Sequence, residues 1–237
     1  AGVASPGTTT ATPINVITVA GNIGFTPAAF VLTTNGDGSV RSAKKFIVPF
    51  AADEFVVTAV TGKAFTNNNA FVSNIVFVTG HIDVSSVFPN SSVVPFVIAM
   101  NSVTNTIIWS KIYDLNSFGI AGEREEVADI MLSDNELIVT GNARAGQQPG
   151  RGFVIKLDPA NGNLIGNPFM ISFKLPTKIK SISPTNTFSS QLHQIHLCGE
   201  TVDILLNNGR ANDTWVATLN TVTPTVLWSK QYDYSNL

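Results

Sequence analysis

A chain of 237 residues, 44% hydrophobic and only 13% charged, is too rich in apolar residues and too poor in charge to be disordered. Its 14 Lys+Arg stand against 16 Asp+Glu, a net charge of −2, which excludes nucleic-acid binding through a broad basic surface. No apolar run of about 18 residues occurs, so no segment is suited to cross a membrane as a helix.

The single cysteine, Cys198, can form no internal disulfide. Polar character is carried instead by uncharged stretches such as 6–13, 66–69 and 89–92, a composition associated with extracellular or cell-surface β-proteins. Ala1 opens no signal peptide, so the expectation is a leader already removed or a piece of a longer chain.

In chain order, the first strong element is Ile17-Thr18-Val19-Ala20-Gly21, a short β-rich run closed by glycine. The same element returns at Val76–Gly80, Leu137–Gly141 and Ile195–Gly199, with Gly21, Gly80, Gly141 and Gly199 spaced by 59, 61 and 58 residues. A variable loop and an aromatic-led strand follow each, starting at Phe30, Phe96, Phe153 and Trp215. Five residues beyond each aromatic stands Asn35, Asn101, Asp158 or Asn220, suited to a turn in which the side chain bonds the following backbone. Thirteen residues beyond the aromatic a last strand is under way, at Ala43, Trp109, Gly166 and Trp228. Trp109-Ser110-Lys111-Ile112-Tyr113-Asp114 and Trp228-Ser229-Lys230-Gln231-Tyr232-Asp233 share one frame.

The third copy spells out four strands: Val127–Leu132, Leu137–Thr140, Phe153–Leu157 and Leu164–Ile171. No segment sustains a 3.6-residue period with caps. A four-stranded unit of about 60 residues cannot bury both sheet faces alone and does so by stacking on its copies. The expected fold is therefore an all-β propeller of four-stranded antiparallel blades, at about 14–50, 53–116, 125–173 and 188–237, with Val19, Val78, Val139 and Leu197 and the four aromatics facing neighbouring blades. The first blade lacks an evident inner strand. A larger ring, a small four-bladed ring, or completion by another chain all remain open.

The pattern at 129–166, with D-N-E, L-I-V-T-G-N, G-F-V-I-K-L-D and N-G-N, resembles the propeller repeats of secreted Bacteroidetes proteins, a group that includes quinoprotein-like, Kelch-like and SBBP-type repeats. W-S-K-x-Y-D at Trp109 and Trp228 is similar to their last strand. The resemblance covers 14–233 and implies a fold rather than an activity. It also implies export by the type IX route within adhesin-like surface proteins. Ala43-Lys44-Lys45 and Gly166-Asn167-Pro168 depart from W-S-K, so weaker outer edges are expected there.

Candidate chemistry is sparse. His193, His196 and Cys198 form H-x-x-H-x-C, but strand residues three apart point to opposite faces, which argues against zinc; no metal and no cofactor are expected. His81 and Asp83 follow Gly80 in what reads as an exposed loop. Arg144 and Arg151 flank a glycine-rich loop suited to an anionic ligand, and Arg210 lies in the last variable loop. Glu123-Arg124-Glu125-Glu126 reads as a solvated connector, with paired-carboxylate glycoside chemistry the lesser alternative. The turns at 35–39 and 158–163 lack the full calcium-loop pattern.

The favoured expectation is a non-catalytic extracellular module that binds protein or glycan through His81, Asp83, Arg144, Arg151 and Arg210, its propeller completed by other segments or chains. The alternative is a propeller enzyme of quinoprotein, lyase or glycosidase type with a central-channel site, for which the inner strands offer Asp129 and Glu54. Trp228 is expected to be a buried packing residue whose truncation costs about 3–5 kcal/mol; His193→Ala is expected to be silent.

Overall fold

The computed structural model describes residues 3–4, 17–22, 28–34, 39–47, 55–67, 70–84, 93–102, 104–118, 124–133, 136–144, 151–171, 177–184, 194–201 and 213–232. Asn35, Glu54, Glu123, His193 and Arg210 lie outside them.

Among the described residues, sixteen strands form four antiparallel meanders. The first is β1 (Val3–Ala4), β2 (Ile17–Asn22), β3 (Ala28–Thr34) and β4 (Val40–Ile47). The second is β5 (Phe55–Asn67), β6 (Ala70–Asp83), β7 (Val93–Asn101) and β8 (Thr106–Ile112). The third is β9 (Arg124–Ser133), β10 (Glu136–Arg144), β11 (Arg151–Leu157) and β12 (Phe169–Ile171), tied to the second by one parallel pairing of Val93 with Arg124. The fourth is β13 (Thr177–Pro184), β14 (Gln194–Thr201), β15 (Thr214–Asn220) and β16 (Thr225–Tyr232). These sheets are called 1 to 4 below.

Apolar layers fill the spaces between successive sheets. Val31 and Phe46 of sheet 1 meet Phe55, Val78 and Phe96 of sheet 2. Phe77, Val97 and Tyr113 meet Val127, Val139 and Phe153 of sheet 3. Ile138 and Val154 meet Ile179, Leu197 and Trp215 of sheet 4. In sheets 2 to 4 the matched strand-b and aromatic positions therefore face the preceding sheet.

The recurring glycine has a structural cause. In sheets 2, 3 and 4 the first strand carries one extra residue, at Thr58, Ala128 and Lys180, opposite the step next to Gly80, Gly141 and Gly199. Such a bulge drives a first-strand carbonyl toward the glycine. A Cβ would stand 1.8 Å from Val56 O at Gly80, 2.3 Å from Glu126 O at Gly141 and 2.1 Å from Lys178 O at Gly199. The Phe153 and Trp215 rings also lie over Gly141 and Gly199, so glycine and aromatic form one unit. Gly21 pairs with Phe30 in the same manner of register.

The turn residues act as expected among the described copies. Asn101 Oδ1 accepts from Thr104 N at 3.1 Å, Asp158 Oδ1 from Ala160 N at 2.8 Å, and Asn220 Oδ1 from Val222 N at 2.9 Å.

Several expectations are corrected. Val3–Ala4 pairs with Thr18–Val19, so sheet 1 has the inner strand that its sequence did not reveal. Sheet 4 begins at Thr177 rather than 188. The last strand of sheet 3 is broken: only a Leu157–Leu164 bridge and β12 remain of 164–171, since Pro168 has no N–H to donate. The thirteen-residue spacing also misplaces the first copy by one. The last strands bulge between Thr33/Thr34, Ala99/Met100 and Thr218/Leu219, setting Ser42, not Ala43, level with Trp109 and Trp228. Finally, Trp228 is 49% and Tyr232 43% exposed. They lie on the outermost strand of the last sheet, and no described sheet follows to cover them.

Candidate functional site

Strand alternation places Glu125 on the same face as Val127, toward sheet 2. It is 0% exposed, and among the described residues no well-formed hydrogen bond reaches either carboxyl oxygen, although the Leu115 backbone lies close enough to act on it. Ala143 stands opposite it on β10, and Arg151 stands opposite Ala143 on β11. The three residues form one cross-strand row, buried at Glu125 and exposed at Arg151. Arg124 and Arg144 pair at the adjacent step and so lie on the opposite face, toward sheet 4, which leaves Arg151 as the arginine of this row that shares the face of the buried acid. Arg124 Nε also meets Glu126 Oε1 at 3.1 Å.

The connector leaving β8 lies against this acid. Tyr113 N donates to Pro95 O and Tyr113 OH to Gly162 O, both at 2.9 Å. Asp114 then organises a single 3-10 turn at Leu115–Phe118: its Oδ1 accepts from Asn116 N at 3.1 Å and its carbonyl from Ser117 Oγ at 2.8 Å. Burial pushes the Glu125 carboxyl up to about 8; the Leu115 backbone opposes this and the Asp114 charge adds to it. The acid therefore keeps its proton at neutral pH. Burial likewise raises the Tyr113 phenol.

The sequence-based candidates are scattered. His81 is on β6, paired with Val56 and Pro95, and only 8% exposed; it is a buried strand residue and not a loop ligand, because β6 runs through the expected loop start to Asp83. Asp83 ends that strand half-buried, opposite Val93. Arg144 and Arg151 are exposed at the ends of β10 and β11, on either side of 145–150; Arg151 shares the face of Glu125, whereas Arg144 lies on the other face, opposite Arg124. Asp129 is a clamp: its Oδ2 accepts from Ser181 Oγ at 2.7 Å and Ile182 N at 3.0 Å, tying β9 to β13. His196 Nδ1 and Thr218 Oγ1 share a hydrogen bond of 2.8 Å. No group of three or more His, Cys, Asp or Glu able to hold a metal occurs among the described residues.

Glu125 was hidden in a run of charges read as solvated. The signal that could have found it is phase: it stands two residues before Val127 in a strand, so the core face includes it.

Fold and site together define an all-β protein of stacked four-stranded sheets with a buried, protonated carboxyl in a row that ends at an exposed arginine. No family model matches the chain, and no curated protein does. Among solved structures it is similar to a variant of the Synechocystis apocarotenoid oxygenase, at 8% identity and a TM-score of 0.47. The match covers 94% of this chain and 47% of that one, so the chain spans under half the length of the protein it resembles. That neighbour is an enzyme, and the expectation of a non-catalytic extracellular binding module is corrected on this finding. The likeness assigns no reaction, substrate or cofactor to this chain.

Proposed function

We propose that the four sheets are blades of a β-propeller and that the chain belongs to an acid–base enzyme acting on an anionic chain polymer, such as a uronate-bearing polysaccharide. The observation that carries this is the Glu125 carboxyl, fully buried with no well-formed hydrogen bond from the described residues, in a cross-strand row that ends at the exposed Arg151. Burying a polar group without a partner costs about 1–3 kcal/mol, a cost that a purely structural site would shed by substitution. A neutral carboxylic acid at pH 7 is a proton donor suited to a leaving oxygen. Asp114, whose charge raises the Glu125 pKa, supplies the second carboxyl. Arg151, at the exposed end of the same cross-strand row, orients a carboxylate on the polymer through its paired N–H donors. Substrate enters as the Leu115–Phe118 turn moves aside and gives it access to the acid.

The test is turnover of uronate polymers against neutral glucans, read as reducing ends or new double bonds. The expected result is cleavage of the acidic polymers only, falling as pH rises through the Glu125 pKa, with Glu125→Gln slower by about a hundredfold and Arg151→Gln raised in KM. Equal activity of Glu125→Gln, or no turnover of any acidic polymer, overturns the proposal.

A further inference from the structure

The gap between sheets 2 and 3 holds a second group able to carry a proton. Along β6 the side chains alternate between two apolar layers: Val76, Val78 and Ile82 pack toward sheet 1, whereas Phe77 packs toward sheet 3. His81 follows Phe77 by four residues of unbroken pairing with β7, so it faces sheet 3, as Glu125 faces sheet 2. Both side chains are buried. Their heights along the strands agree as well. His81 pairs with Pro95 on β7, and two residues earlier on β7 Val93 pairs in parallel with Arg124 of β9. Glu125 is therefore level with Val94, one residue of strand rise, about 3.3 Å, from the His81–Pro95 step. Strand β9 also packs over β5, β6 and β7. Tyr113, whose N–H donates to Pro95 O, continues the His81–Pro95 row and leads the chain into Asp114 and the Leu115 turn.

We infer that His81 is the general base facing the Glu125 acid, and that the reaction between them is a β-elimination at a uronate residue. This rests on the acid–base function proposed for Glu125 and fixes the reaction class of that site. A neutral imidazole nitrogen of His81 takes the proton from the sugar carbon next to the carboxylate. The electrons of that C–H bond form a double bond to the neighbouring carbon. The bond from that neighbour to the glycosidic oxygen breaks, and the oxygen takes the Glu125 proton. Arg151, at the far end of the Glu125 row, pairs with the carboxylate and stabilises the charge that builds on it. The products are one unsaturated uronate end and one reducing end, and no other reactant is consumed. Passage of a proton from the His81 imidazolium to the Glu125 carboxylate restores both groups.

Two observations favour elimination over hydrolysis. Hydrolysis by paired carboxylates needs a carboxylate across the scissile bond as base or nucleophile, and the group that β6 sets across the gap is an imidazole. The gap is also closed to solvent at both groups, and elimination consumes no water. Among the described residues, the titratable groups around His81 are Glu125 from β9, Tyr113 and Asp114 from the connector, and Asp83 two residues along β6; β5 and β7 present Val56 and Pro95. The repeat supplies a fair substitute for His81. Asn142 stands at the same place after the glycine of sheet 3 and bonds the Ile179 backbone of the next sheet. Asparagine therefore suits this position in the fold, but its amide cannot take up a proton.

Digestion of polygalacturonate and of alginate by the 237-residue protein tests this, with ultraviolet absorbance of the conjugated double bond and reducing ends followed in parallel. The expected result is one double bond for each new reducing end. Activity is expected to fall on the acid side as the imidazole gains a proton and on the alkaline side as Glu125 loses one. His81→Asn is expected to slow turnover by about a hundredfold or more and to remove the acid limb, at unchanged circular dichroism and Tm. Reducing ends without double bonds overturn the inference and leave the acid–base function of Glu125 standing. A His81→Asn protein with the wild-type rate and pH profile overturns it too, because asparagine preserves a structural role and not a basic one. Where His81→Asn disturbs folding, the product ratio of the unaltered protein decides. No turnover of either polymer overturns this inference together with the function on which it rests.

Discussion

Glu125 keeps its proton because burial excludes water from it, an effect that the Leu115 backbone only partly offsets and the Asp114 charge adds to. Its folded pKa, about 8, lies above the ordinary carboxyl value near 4.3 that an unfolded chain shows. Between those two values the unfolded state binds fewer protons than the folded one, so stability is fully present below about pH 4.3, falls as pH rises toward 8 and levels off above it. Urea midpoints measured from pH 4 to 9 are expected to show that decline, of the order of a few kcal/mol, and Glu125→Gln is expected to flatten it. Gly162 and Gly166 offer a matched pair, with φ of +70° and +72°. Both substitutions to Ala incur the left-handed cost of about 1–2 kcal/mol, but a Cβ on Gly162 would stand 2.7 Å from the Trp109 ring while one on Gly166 meets nothing within 4 Å. Thermal melts are expected to place Gly162→Ala below Gly166→Ala by a further 1–3 kcal/mol or so. At this scale the sequence was informative where a residue answered to backbone geometry. The strand-b glycines declared a close approach, and Asn101, Asp158 and Asn220 declared their turns. It was silent where a residue answered to burial alone, as at Glu125.

Between elements, a few polar side chains fix how one sheet follows another. Asn142, just after Gly141, donates Nδ2 to Ile179 O at 3.0 Å and accepts from Ile179 N at 2.7 Å, so its amide replaces a missing strand partner for the first strand of sheet 4. Asn142→Ala leaves both Ile179 backbone groups unpaired and is expected to cost about 2–3 kcal/mol by chemical denaturation; Asn142→Asp, which keeps the acceptor alone, should fall between. Trp109→Ala is expected to destabilise by about 2–3 kcal/mol, since the ring packs on Gly162 and Phe77, whose centroid is 6.0 Å away. The identical truncation at Trp228 should change stability little. Most strands were legible from β-branched runs closed by glycine, and their order within each unit was correct. The inner strands β1 and β13 were not: one is two residues long, and the other threads Ile179 and Ile182 through lysines and serines. The one-residue slip in sheet 1 arose because spacing counts residues, while bulges decide which of them align.

Over the whole molecule, cover is uneven. Among the described residues, sheets 2 and 3 are packed on both sides, whereas sheets 1 and 4 each pack against one described sheet. In a stacked array stability is close to a sum of units and their nearest-neighbour contacts, and local opening follows local burial. Hydrogen exchange is therefore expected to be slowest at β6, β7, β10 and β11 and faster at β3 and β16, and uniform protection across all four sheets would contradict a nearest-neighbour architecture. The repeat itself was plain in the sequence, but its ends were not, because a matching pattern says which residues are alike and not which of them are covered.

Lys44 and Lys111, level with each other on the last strands of sheets 1 and 2, reach to the turn of the next sheet, where they contact a main-chain oxygen at Asn105 and a side-chain amide at Asn163. Neither acceptor demands a particular neighbour beyond a short turn of the right height. Sheets 1 and 2 are in that sense tiles with one kind of plug and sheets 2 and 3 carry the matching socket, whereas Phe169 stands at the lysine position of sheet 3. A genetic duplication of the tile that has both plug and socket would create a joint like those already present, and lineages could alter their tile number without inventing a new seam.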